Sequence, residues 1–203
     1  MKDSIERRQP LLEKALELDP FSSEAYAARA LLHLDRRHSE LAESDLLKAI
    51  ALNPNYAKAY QWYSSALRRQ GRFEEALAQI RVAAELDPIE PYVQSALAEV
   101  LWASGRVEEA LTVIRRNINR YPELHHNYSK MSTIQTALGR VGKAQWWQDE
   151  AWKRNPEGFA TWQGRCLGLL NLGDALFAEK CANQLSEVHP GKFGTVIVQN
   201  TLQ

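Results

Sequence analysis

Carboxylates, histidines and a glycine–lysine pair are the residues of this sequence that could do chemistry, and their spacing decides whether they can. Glu74-Glu75 and Glu108-Glu109 are adjacent acids. Two carboxylates work as acid and base when they face one bond, whereas neighbours on a helix point about 100° apart. Both pairs also follow a turn, where acids favour the positive end of a helix, so a solvated structural role is expected. Gly142-Lys143 has the last two residues of a phosphate-binding loop, but the required earlier glycine is Ala137 and the next residue is Ala144 rather than Ser or Thr. His125-His126 are neighbours and cannot easily share one metal, while His33, His38 and His189 show no ligand spacing. Asn127-Tyr128-Ser129 fits a glycosylation acceptor only by chance, given its helical setting. No catalytic set, metal site or cofactor is expected.

The elements that carry these residues are legible in residues 57–90. Tyr60, Tyr63, Ser64 and Leu67 recur at i, i+3, i+4 and i+7 and share one face of a first helix. Gly71 stops it, because glycine alone takes a left-handed conformation without steric cost. Phe73, Ala76, Leu77, Ile80, Ala83 and Ala84 give a second helix the same spacing, ended by Asp87-Pro88. Two such helices joined by a short turn lie antiparallel, and the pair exposes apolar surface unless another pair stacks on it.

That stacking is written as a period. Pro20, Pro54, Pro88, Pro122, Pro156 and Pro190 stand 34 residues apart, as do Gly71, Gly105, Gly139 and Gly173. Alanines repeat at 42, 76, 110, 144 and 178, and at 15, 49, 83 and 151. Tyr26, Tyr60, Tyr128 and Trp162 form a further column, broken by Gln94. A 34-residue helix–turn–helix period is the tetratricopeptide spacing, and the chain closely resembles that family over roughly residues 10–192. The expected fold is all-α, with about eleven or twelve helices and no strand. It is read as one solenoid domain: a half repeat at 1–22, full repeats at 23–56, 57–90, 91–124, 125–158 and 159–192, and a tail at 193–203.

Departures from the period are local. Residues 1–20 read as a second helix without its first, with Pro10 in its opening turn and Leu11, Leu12, Ala15 and Leu18 as its apolar face. The first full repeat has Arg36-Arg37-His38-Ser39 in place of a glycine turn, and Asn117 and Leu185 replace small alanines. Gln148 fills a usually apolar column while Trp146, Trp147 and Trp152 crowd the same helix. Either core volume has moved to neighbouring positions or an outer aromatic patch meets a partner. Cys166 and Cys181 lie nearly equidistant from Gly173, so the hairpin brings them level on facing helices. Without an export signal, reduced and packed thiols are expected; in an exported fragment a disulfide is feasible. The β-branched run Thr195–Val198 is a weak helix former.

Composition bounds the partners. Lys plus Arg and Asp plus Glu each number 25 in 203 residues, with 45% hydrophobic residues. A neutral chain has no global field to gather nucleic acid or an anionic membrane, and neither partner is expected. No apolar run approaches 18 residues, and the start lacks the apolar core of a signal peptide. If Met1 is the natural start, the expected location is cytoplasmic. Neither end has a strongly polar cap, so the expectation is a segment cut from a longer protein or one whose ends associate weakly head to tail.

Resemblance to the tetratricopeptide family implies a right-handed superhelix whose first helices line a concave groove for a peptide or helix of a partner. Taking the face opposite each core stripe, the lining includes Glu24, Ala27, Leu31, Leu34 and Asp35 in the first repeat. It continues with Lys58, Gln61, Trp62, Ser65, Arg68 and Arg69, then Tyr92, Ser95, Glu99 and Trp102. His126, Ser129, Lys130, Thr133 and Thr136 follow, then Ala160, Gln163, Leu167, Leu170 and Asn171. Family members that clamp a chaperone's terminal carboxylate use lysines and asparagines where this chain has Ala27, Leu31, Gln61 and Ser65, which disfavours that role. Trp62, Arg68, Arg69 and Trp102, with Tyr92 and Glu99 nearby, have the composition of a binding hot spot. The alternative is that both tryptophans bury against the next repeat and the arginines are merely solvated. The repeat and the missing catalytic set favour an interaction scaffold; a regulatory or sensor module of a larger bacterial regulator or enzyme is the competing reading.

Overall fold

The computed structural model describes residues 2–171, 173 and 175–188. Among them are eleven helices and no strand. They are α1 Lys2–Leu18, α2 Ser23–Asp35, α3 Ser39–Leu52, α4 Ala57–Arg69, α5 Phe73–Leu86, α6 Pro91–Ala103, α7 Val107–Arg120, α8 His125–Ala137, α9 Val141–Arg154, α10 Phe159–Asn171 and α11 Ala175–Val188. The chain forms two compact units, Met1–Ala110 and Leu111–Gln203, and the division falls inside α7. The tail at 193–203, with its Thr195–Val198 run, lies outside the described residues, as do the side chains of Ala178, Leu185, Leu170 and Asn171.

In the first unit the pairs α2–α3 and α4–α5 pack closely, and α4 also touches α2 and α6. Gly71 and Gly105 take φ of 78° and 76°, as the turn requires. Arg37, which holds the glycine slot of the first full repeat, adopts the same left-handed conformation at φ 63° despite its side chain. The alanine columns are the points of closest approach: Ala42, Ala49, Ala76, Ala83 and Ala110 are wholly buried. Ala76→Leu should therefore destabilise by about 1–3 kcal/mol through overpacking, measured as a lower urea midpoint; an unchanged midpoint would remove Ala76 from the core.

The first helix departs from expectation. It starts at Lys2, with Pro10 in its interior rather than its opening turn. The preceding segment, rich in charged helix formers, continues the helix across the one amide that proline lacks. Among its described apolar side chains Leu12, Ala15 and Leu16 are half-buried; Leu11 and Leu18 are 70% and 76% exposed, so the apolar face is narrower than its sequence implied.

The second unit packs α8 against α9, α9 against α10 and α10 against α11. Its core is more polar. Asn117 and Asn127 stand in columns held elsewhere by alanine or valine. Both are buried, and the Asn117 amide donates to Asn127 Oδ1 at 3.0 Å. Gln148 donates to the Thr161 carbonyl at 3.0 Å and lies where a side chain on Gly164 would stand, and Gln145 does the same at Gly168. The expectation of reduced thiols is overturned: Cys166 and Cys181 form a disulfide, with Cα atoms 5.4 Å apart. Nearly equal distances from the Gly173 turn place them level, and both are buried.

Candidate functional site

The residues expected to bind a partner in the first unit stand on α4 and α6, first helices of consecutive repeats. Trp62 is half-buried and meets the Tyr56 ring edge-on, with centroids 6.4 Å apart. Trp102 is half-buried too, so neither tryptophan is fully core or fully exposed. Arg68 Nη2 lies 3.2 Å from Glu99 Oε1, the pairing that the 34-residue register brings together across neighbouring helices. Arg69, next in sequence, is exposed in the last turn of α4, where the helix's negative end favours a cation. Tyr92 is 52% exposed at the start of α6. The arrangement presents aromatic faces and a guanidinium beside a fixed ion pair, which is recognition chemistry; it brings no nucleophile to a base.

Part of the expected lining is not at the surface. Ala27, Leu34 and Ser95 are buried, with 0%, 8% and 2% of their area exposed. A first helix packs against neighbouring first helices as well as against its own partner, so a face opposite the core stripe is partly consumed by stacking. Small residues are what allow that approach. Glu24, Asp35 and Lys58 are exposed; Leu31, Gln61 and Ser65 are half-buried. In the second unit, His126, Ser129 and Lys130 are half-buried on α8, and Thr133 and Thr136 are exposed. Ala160 is exposed on α10, with Gln163 and Leu167 half-buried.

The residues considered for catalysis take structural roles. Glu75 and Glu109 each receive two hydrogen bonds, at 2.6–2.8 Å, from the arginine that precedes their helix. Hydrogen bonding to Arg72 holds the Glu75 carboxyl below its usual range. Gly142 and Lys143 are exposed, and His125 lies 3.3 Å from the Asn155 amide.

Two charged clusters of the first unit were not evident from spacing. Arg29 grips the buried Asp45 with two bonds of 2.6 and 2.7 Å, and His33 Nε2 stands 3.5 Å from the same carboxylate. Burial lowers the His33 pKa against the pull of Asp45. Arg72 also binds Glu43, at 2.9 Å, while the Tyr63 hydroxyl donates to Glu43 at 2.8 Å. Burial raises Glu43, but the Tyr63 and Arg72 bonds outweigh it and leave its pKa lowered. Burial, then the Glu43 carboxylate, pushes the Tyr63 phenol up to about 12. This network ties repeat 23–56 to repeat 57–90. The depressed Glu43 pKa contributes stability that is present above the unfolded carboxylate range and lost as pH falls through the folded value. The raised Tyr63 pKa contributes stability that is complete below about 10 and lost as pH rises towards about 12. Tyr63→Phe should cost about 1.5–3 kcal/mol and raise the Glu43 titration midpoint, read by carboxyl NMR; an unmoved midpoint would disprove the bond.

The outer tryptophans of the second unit divide. Trp147 packs between Tyr128 and Trp146, with ring centroids at 5.8 and 4.7 Å. Trp152 meets Trp162 at 5.6 Å and lies under Arg165 at 4.3 Å. Trp146 remains 55% exposed.

Tetratricopeptide-repeat family models match residues 23–56, 46–78 and 64–123. This chain belongs to the tetratricopeptide-repeat family. It is 37% identical over 87 residues to a STIP1 homologue of Dictyostelium discoideum, covering 42% of this chain and 15% of that protein. It is 32% identical over 84 residues to the type IV pilus assembly protein PilF of Pseudomonas aeruginosa, covering 41% and 33%. The structure of PilW, a type IV pilus biogenesis factor, superposes with a TM-score of 0.78 at 18% identity, covering 100% of this chain and 92% of that one. The chain thus matches a third or less of the length of these two sequence relatives, and the structural likeness establishes the fold: stacked antiparallel helix pairs of an α-solenoid. Tetratricopeptide-repeat proteins are in general protein-interaction scaffolds rather than enzymes.

Proposed function

We propose that this tetratricopeptide-repeat protein is a scaffold whose α4–α6 face binds an extended or helical segment of a partner protein. The observation that carries the reading is the Arg68–Glu99 ion pair, which joins the two helices that carry the partly exposed Trp62 and Trp102, with Arg69 next in sequence. Aromatic anchors provide desolvated contact and Arg69 selects for an acidic group. His126 and Lys130 are assigned a similar binding role on α8. No cofactor, catalytic step, nucleic acid or membrane enters this function.

The test is selection of linear peptides on the immobilised chain, counter-selected with a Trp102→Ala, Arg69→Glu variant. Enrichment of acidic, apolar-containing sequences that bind the parent and not the variant supports the reading. Sequences that bind both alike would move the function to another surface.

A second reading is favoured by one observation. The pilus factor PilW aligns over the whole of this chain and nearly its own full length. With the PilF relative, this makes an assembly-factor role the second reading. The disulfide supports placement in an oxidising compartment over the cytoplasm.

A further inference from the structure

Three tryptophans crowd α9, and internal packing accounts for two of them. Trp147 sits against Tyr128, and Trp152 against Trp162. Trp146 occupies an outward slot that the three preceding repeats fill with exposed Ser44, Ala78 and Thr112. Its ring is 55% exposed and is braced edge-on by Trp147, with centroids 4.7 Å apart.

The turn before it departs from the repeat in a matching way. Arg72 and Arg106 are each tied by two hydrogen bonds to the glutamate three residues on, Glu75 and Glu109. Arg140 holds the same slot, but the residue three on is Lys143. Both cations are exposed, and among the described residues neither has an acidic partner. Lys143 lies one helical turn before Trp146, on the same side of α9. The acids that follow are already engaged: Asp149 by Arg165 at 3.0 Å, and Glu150 by Lys153 and Arg154 at 2.6 and 2.7 Å. Gly142, four residues before Trp146, stands where Glu40, Glu74 and Glu108 stand in the preceding repeats. Glycine is a poorer helix former than alanine, yet a Cβ added at Gly142 would meet nothing within 4 Å. Packing among the described residues does not call for this glycine. It leaves the helix backbone bare beside the ring, where a second chain can approach closely.

We infer that the α9 patch docks an acidic segment of a partner protein. An apolar side chain of that segment lies on Trp146, its carboxylates meet Arg140 and Lys143, and its backbone runs past Gly142. Charge selects the occupant: two cations without the acids of their counterparts call for acids from outside, and one ring with a bare stretch of helix fits a segment. The patch lies in the second unit and does not rest on the α4–α6 reading.

Peptide display on the parent chain, counter-selected with a Trp146→Ser, Lys143→Glu variant, tests this; peptides held by the α4–α6 face bind both chains and are removed. The expected result is enrichment of acidic sequences that contain a large apolar residue. A synthetic peptide from that pool should lose at least tenfold in affinity on Trp146→Ser. Lys143→Glu should weaken it most at low salt. Gly142→Leu should block it too, with the melting temperature unchanged or raised, because the new side chain meets nothing in its own chain. No enrichment over the counter-selection would overturn the inference. So would a selected peptide that binds the Gly142→Leu and Lys143→Glu chains as it binds the parent. Vesicles of phosphatidylserine and phosphatidylcholine bound through Trp146, with no peptide enriched, would show a membrane surface instead and also overturn it.

Discussion

Trp102→Ala should weaken partner binding at least tenfold while leaving the chain folded. The ring is half-buried on α6, so truncation removes contact area at a surface and opens no closed cavity in the core. Aromatic anchors of this kind commonly contribute about 2 kcal/mol or more, well above the tenfold threshold. Arg69→Glu should act differently. Arg69 is exposed, and a rim charge chiefly alters association rate, so its effect should be greatest at low salt and shrink as salt rises. Arg68 is held by Glu99, and its loss should leave that carboxylate without its cation and change the local charge. Calorimetry with a selected peptide, beside thermal melts, separates the outcomes. If Trp102→Ala unfolds the first unit, the residue is core. If both variants bind as the parent does, the α4–α6 face is not the site.

Removing the disulfide should be the largest single loss of stability in the second unit. Cys166 and Cys181 close a loop of about 15 residues between α10 and α11, for which restriction of the unfolded chain gives about 3 kcal/mol. Among the described residues, Trp162 packs with the disulfide, and Trp152, Phe159, Leu167 and Leu169 pack against them. The seam between α9 and α10 joins the Trp152–Trp162 contact to two amides, Gln145 and Gln148, which fill the notches at Gly168 and Gly164. Cys166→Ala with Cys181→Ala should therefore lower the melting temperature and cut amide-exchange protection across α10 and α11, while α2 to α5 keep theirs. Denatured protein prepared without reductant should show no free thiol. Two titratable thiols in that sample would mean that the pair is not bonded.

The repeat was legible because packing in this architecture is local. Each pair needs a small residue where helices touch and a left-handed residue where the chain turns, and these needs recur every 34 residues. Hence Ala76, Ala83, Gly71 and Gly105 could be assigned before any coordinates were known. The Arg68–Glu99 pair followed from the same register, since both residues lie on adjacent first helices.

What the period could not supply was the outcome of contacts that depend on two side chains at once. Asn117 and Asn127 each look like a fault in a small-residue column; only their 3.0 Å bond shows that one polar substitution answers the other. Gln148 looked misplaced until Gly164 was seen to make room for it. Ala27 and Ser95 were assigned to a binding face because one helix viewed alone has one core stripe, whereas stacking buries a second. The cysteines were level by arithmetic, but bond formation also depends on how the two helices rotate about their axes. Sequence by itself determined the helices, their turns and their order. The tertiary structure decided which exposed faces survived stacking, because burial belongs to pairs of surfaces and a periodic sequence specifies each surface singly.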